Sequence, residues 1–148
     1  MGKPKEYLIA LCIYIISYIY ALILAPKIGF CKVKSCDMIN NVHESCLFNC
    51  KFTKLLTKYR GNNYYIGITD DKKKEKLETC LITWWGGSHF LVYLLLGYLT
   101  PSLFLETFIL GVSFEIYEKY AFECHDAIDI ILNTSGFLVG QYFSPNKS

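Results

Sequence analysis

The sequence predicts an all-α, polytopic membrane protein: an antiparallel bundle of four transmembrane helices with one Cys-rich excursion outside the membrane. Two observations predict this class. Hydrophobic residues make up 53% of the 148 residues, and charged residues only 19%. The charges are also segregated, because 11 of the 15 Lys and Arg residues lie between Pro26 and Cys80. Membrane proteins separate charged loops from apolar spans in this way.

The first predicted helix is the run Tyr7–Ala25, which has 19 residues without a charge. At about 1.5 Å per residue, it is long enough to span a bilayer. A signal peptide is the alternative, since basic residues precede the run and a small residue ends it. The run exceeds a usual signal core and Ala25-Pro26 is a poor cleavage site, so we favour a retained helix over residues 1–25.

Residues 26–80 form a polar, Lys- and Cys-rich extramembrane segment. Within it, residues 45–59 carry Leu and Phe at spacings of three and four, which predicts a helix. The net charge of +2 is too small, and too concentrated in this segment, to indicate nucleic-acid binding. The expected partners are therefore the lipid bilayer and proteins that dock on residues 26–80, with no nucleic acid.

Three further spans follow in residues 81–148. They are predicted at Leu81–Thr100, at Ser102 to about Phe122, and at Asp126–Phe143. The short connection at Pro101 makes the first two antiparallel. All four helices then alternate in direction through the membrane.

Six polar residues inside the C-terminal spans are the candidate binding site. Ionisable side chains in hydrocarbon cost about 2.5–3.5 kcal/mol on insertion scales, so they usually face a bundle interior or a wet cavity. Counting about 1.5 Å per residue along alternating helices places them at similar depth from one membrane face. We therefore predict one shallow intramembrane pocket formed by His89, Glu115, Glu118, Asp126, Asp129 and Asn133. Gly136 and Gly140 continue the same helix face and would let a neighbouring helix approach closely.

Three roles for this cluster stay open. The side chains can fasten the helices by hydrogen bonds, bind a ligand such as a lipid headgroup, or catalyse a reaction. In a catalytic role, His89 and Glu115 would act as a general acid–base pair. A divalent ion would find mixed ligands suited to zinc or manganese in His89, Glu115, Glu118 and Asp129. We expect no cofactor, assign no metal and leave the catalytic residues undecided.

Three patterns in residues 82–143 carry a family resemblance. They are Trp84-Trp85-x-x-Ser88-His89-Phe90-x-x-Tyr93, Phe114-Glu115-x-x-Glu118 and Asp126-x-x-Asp129-x-x-x-Asn133-x-x-Gly136-x-x-x-Gly140. This region resembles the VanZ-like membrane proteins, in particular the YjdF-like branch. The resemblance implies successive helices of a small membrane bundle, sometimes linked to the cell envelope and to glycopeptide resistance, without a catalytic mechanism. Gly86-Gly87-Ser88 replaces the acidic residue that often precedes the histidine in that family.

Six of the seven cysteines fall on one side of the predicted membrane, which favours disulfides and an oxidising compartment. The disulfide candidates are Cys31, Cys36, Cys46, Cys50, Cys80 and Cys124. A zinc site using the first four with His43 is the alternative, but its spacing matches no standard zinc module. The basic residues of segment 26–80 favour a cytoplasmic location instead. That segment is near the length at which the charge rule weakens, so we let the cysteines decide. We therefore expect the segment on the lumenal or extracellular side.

The leading functional prediction is a VanZ-like integral membrane protein whose polar site binds a lipid or envelope-type ligand. The alternative is a structural protein that anchors a larger assembly in a membrane, with residues 26–80 as its docking surface. A bias toward Lys, Ile, Tyr and Asn indicates an AT-rich genome, so the internal membrane and capsid of a large DNA virus would suit such an anchor. A membrane enzyme that uses His89 and Glu115 is the third hypothesis.

Overall fold

The computed structural model describes residues 3–28, 46–49, 80–121 and 127–146. Over these residues the elements are α1 (Lys3–Ile28), β1 (Cys46–Asn49), β2 (Cys80–Thr83), α2 (Trp84–Leu99), α3 (Phe104–Ala121) and α4 (Ala127–Phe143). The predominance of helix confirms the all-α prediction. Judged over the same residues, none of these helices combines the length and the apolar character needed to cross a membrane.

A short strand pair corrects the prediction for the start of residues 45–59. The chain forms β1 there instead of a helix, and β1 pairs antiparallel with β2. Local spacing of Leu and Phe is compatible with a helix, but hydrogen bonds to a segment distant in sequence decide the conformation. The same pairing moves the start of the second helix from Leu81 to Trp84, because β2 occupies the residues before it.

The helix pair α2 and α4 is the most closely packed part of the described fold. A Cβ atom on Gly136 would collide with the backbone carbonyl of Phe90, and one on Gly140 with that of Leu94. The two backbones can approach this closely because both positions lack a side chain. The prediction that Gly136 and Gly140 admit a neighbouring helix is therefore confirmed.

The first helix docks beside the turn between α2 and α3. Glu6 is only 2% exposed, and its Oε2 accepts hydrogen bonds from the backbone N and the Oγ of Ser102. Apolar residues of α1 continue this contact into a small core. That core consists of Ala10, Ile13, Tyr93, Leu96, Leu103 and Phe137. The N-terminus of α1 thus lies at the same end of the bundle as the α2–α3 turn, as expected for alternating helices.

Several sequence predictions fall on residues outside the described ranges. They concern Asp126, His43, Cys31, Cys36, Cys50, Cys124 and nearly all of residues 26–80. Of the remaining disulfide candidates, Cys46 lies in β1 and Cys80 is a buried residue of β2. The cysteine pairing and the role of the excursion stay predictions.

Candidate functional site

One residue from each of the three C-terminal helices meets at a single cluster. His89 comes from α2, Glu115 from α3 and Asp129 from α4. One potential ligand atom from each side chain lies within 4.8 Å of the others. The structure thus brings together three of the six residues that the sequence predicted as a site.

The alternation of helix direction explains this convergence. His89 lies five residues after the start of α2, Asp129 lies two residues after the start of α4, and Glu115 lies six residues before the end of α3. At about 1.5 Å per residue, all three are within roughly 10 Å of the same end of the bundle. The cluster lies at the end opposite to the contact between Glu6 and Ser102.

Asn133 extends the cluster by one helical turn along α4. Its side chain is 5% exposed and lies beside the His89 ring. The Oδ1 atom of Asn133 is fully buried and forms no hydrogen bond of normal geometry with any described residue. A buried carbonyl oxygen without such a bond is costly, because it has lost its hydration. It is therefore a candidate contact for a ligand.

The two acids of the cluster are buried, whereas His89 is half-buried. Glu115 and Asp129 are each 5% exposed. Phe114 packs near the histidine, with its ring centroid 6.3 Å from that of His89. In such surroundings each charge interacts more strongly with its neighbours than it would in water.

A small cavity lies next to Asn133, between α3 and α4. Its lining includes Tyr93, Thr107, Gly111 and Asn133, and its volume is about 10 Å³. This volume matches the space that about one water molecule requires. The cavity has room for a water molecule but not for a lipid headgroup.

The charge of the cluster restricts what it can bind. Two carboxylates within 4.8 Å of each other repel by about 3.5 kcal/mol at an effective dielectric constant of about 20. Among the described side chains, the Lys residues are Lys3 and Lys5, both at the start of α1 and at the other end of the bundle. A cation in the cluster would offset this repulsion, whereas an anion would add to it.

Two of the predicted site residues, Glu118 and Asp126, have side chains that lie outside the described part of the chain. The backbone of Glu118 lies on α3 one turn beyond Glu115, whereas the whole of Asp126 is outside that part. Their membership of the site stays a prediction.

Glu6 is a buried acid that none of the sequence predictions included. Its position in the first turn of a long apolar helix was the available signal. Because it is hydrogen-bonded to Ser102, its role is to hold α1 against the α2–α3 turn.

Comparison of the chain with protein-family models, with curated proteins and with solved structures found no match.

Proposed function

We propose that this chain is an integral, multi-pass membrane protein that holds a small cationic ligand in an acidic site between α2, α3 and α4. The observation that carries the proposal is the inverted distribution of side chains. Polar residues such as Glu115, Asp129 and Asn133 are buried, while large apolar residues cover the outer faces of the helices. Water disfavours so much exposed apolar surface, whereas lipid tails do not.

The exposed apolar residues occur on every helix of the bundle. Ile16 of α1 is 66% exposed, Leu91 of α2 is 62% exposed, and Leu105 of α3 and Ile131 of α4 are exposed to a similar degree. The charge-free run Tyr7–Ala25 adds to this argument from the sequence. A bilayer would cover all these surfaces at once.

The close glycine contact between α2 and α4 also supports a membrane setting. In lipid, helices associate through close van der Waals packing, and small residues at the interface make that packing possible. Helices α2, α3 and α4 have 16, 18 and 17 residues, or about 24–27 Å of helix. Spans slightly shorter than the hydrocarbon core are accommodated by local thinning of the bilayer.

The acidic site favours a cationic ligand over an anionic one. A phosphate group would meet two carboxylates at close range and be repelled. The predicted lipid or envelope-type ligand is therefore compatible with this site only through a positively charged group. The relationship to VanZ-like proteins and the anchoring role of residues 26–80 stay proposals, which the described residues do not test.

The thermal unfolding temperature tests whether the site holds a cation. Asp129→Asn keeps the shape of the side chain and removes one negative charge. If a cation is held, the variant loses it, and its thermal unfolding temperature falls because bound ligand stabilises the folded state. The measurement uses membranes prepared under mild conditions and without chelator. If the cluster only fastens helices, added chelator leaves the unfolding temperature of the original chain unchanged, because no bound ion is lost.

Glu106→Gln is the matched control for this experiment. Glu106 is a carboxylate of α3 that accepts a hydrogen bond from Tyr7 at the other end of the bundle. Its neutralisation removes the same charge far from the cluster, so we expect little change. An unchanged or raised unfolding temperature for Asp129→Asn would refute the ligand-binding proposal.

A further inference from the structure

We infer that the ligand of this site is a divalent transition-metal ion of the manganese or zinc class, bound by His89, Glu115 and Asp129. The inference rests on the proposed cationic site and names its occupant. The three side chains come from three helices, so one ion would bridge α2, α3 and α4.

The distances among the ligand atoms are close to those of a metal site. The candidate atoms all lie within 4.8 Å of one another. In a tetrahedral site with bonds of about 2.0–2.2 Å, neighbouring ligand atoms are separated by roughly 3.3–3.6 Å. A contraction of about 1–1.5 Å closes the difference, and rotations of the glutamate and aspartate side chains can supply it.

The donor types select the class of metal. Imidazole nitrogen suits zinc and other transition metals, while carboxylate and amide oxygens suit manganese, magnesium and calcium. A set with one nitrogen and several oxygens therefore favours manganese or zinc over the alkaline-earth ions. A dication also neutralises the two carboxylates, which removes the repulsion between them.

Asn133 is the second, independent observation that points to an ion. Its Oδ1 atom is buried and interacts with the His89 ring, but it forms no hydrogen bond of normal geometry with any described residue. Amide oxygens are good ligands for hard divalent ions. We assign this oxygen to the outer side of the site, where it binds the ion or a water molecule on it.

Manganese binding to the full chain in nanodiscs tests this inference. The protein is stripped with chelator, loaded with Mn²⁺ and examined by pulsed electron paramagnetic resonance. Mn²⁺ is the probe because the thiolates of the Cys-rich segment prefer softer metals. We expect about one bound ion per chain, with magnetic coupling to a histidine nitrogen. A chain that retains no Mn²⁺ would overturn the inference.

The chain has only three histidines, so substitutions can assign the nitrogen coupling to a single residue. In the double variant His43→Gln/His125→Gln, His89 is the only histidine left, and we expect the nitrogen coupling to persist. In His89→Gln we expect the coupling to vanish and Mn²⁺ affinity to fall at least about 100-fold, since even outer-sphere changes cost 10–100-fold. Loss of the coupling in the double variant refutes the inference even if His89→Gln fails to fold.

Glu115→Gln and Glu106→Gln complete the set as site and control variants. We expect weakened Mn²⁺ binding in the first and wild-type binding in the second, whose carboxylate lies at the opposite end of the bundle. Equal binding in both would exclude Glu115 as a ligand and overturn the three-residue site.

The metal inference and the membrane proposal fail in different ways. The metal alone is refuted if the protein stays in the membrane fraction and Asp129→Asn destabilises it, but it binds no Mn²⁺. A chain recovered in aqueous buffer without detergent would refute the membrane proposal instead.

Discussion

Glu6 of α1 accepts two hydrogen bonds from Ser102, at 3.0 Å from its backbone N and 2.7 Å from its Oγ. These two residues are 96 positions apart in the sequence, and their contact joins the first helix to the turn between α2 and α3. A buried carboxylate with two donors at one oxygen fixes where α1 lies against the bundle.

Replacing Glu6 with Ala should detach α1 from this turn. Hydrogen bonds to a charged group contribute about 1.5–3 kcal/mol, and the Ser102 donors would lose their acceptor. We expect unfolding in a denaturing-detergent titration to shift by about that amount. Tyr7→Phe is the control, because it removes a hydrogen bond to Glu106 that is exposed to solvent and contributes little. Equal stability of the two variants would contradict the role assigned to Glu6.

Gly140→Ala should disrupt the contact between α2 and α4. The added methyl group would meet the backbone carbonyl of Leu94, which cannot rotate away as a side chain can. Overpacking of this kind costs about 1–3 kcal/mol, so we expect a lower unfolding temperature. Gly87→Ala is the matched control, since its new methyl group would meet only the flexible end of Leu47, at 3.1 Å. If Gly140→Ala were as stable as Gly87→Ala, the close backbone approach would be wrong.

Leu91→Lys distinguishes a lipid-facing surface from one that faces water. Leu91 lies midway along α2 and is 62% exposed. A lysine at the centre of a membrane helix costs about 2.5–3.5 kcal/mol, so we expect less protein to resist alkaline extraction from membranes. Leu91→Met keeps the surface apolar and should behave like the original chain. The membrane proposal would be contradicted if the lysine variant were expressed at an unchanged yield and stayed dispersed in aqueous buffer.

The helices and the meeting of the three C-terminal helices could be predicted because both follow from local rules. Predominantly apolar segments indicated α1, α2, α3 and α4 to within a few residues. Helical rise and alternating direction then placed His89, Glu115 and Asp129 at one depth. No longer-range information was required, since short connections leave successive helices few arrangements.

The parts that were missed depend on contacts between distant segments. The strand β1 has four residues, and its conformation is set by pairing with β2, which local spacing does not report. Burial of Glu6 likewise requires knowing that α1 returns to Ser102. Flanking acids and buried acids have the same sequence signature, so only the packed structure separates them.

The glycine contacts between α2 and α4 have a kinetic consequence for the cluster. Because backbone lies against backbone at Gly136 and Gly140, these two helices cannot slide or rotate past each other without separating. His89 and Asp129 therefore keep a fixed spacing, while Glu115 belongs to α3, which packs less closely against α4. Exchange of an occupant would then proceed by displacement of α3, and the rate of that displacement would set the residence time.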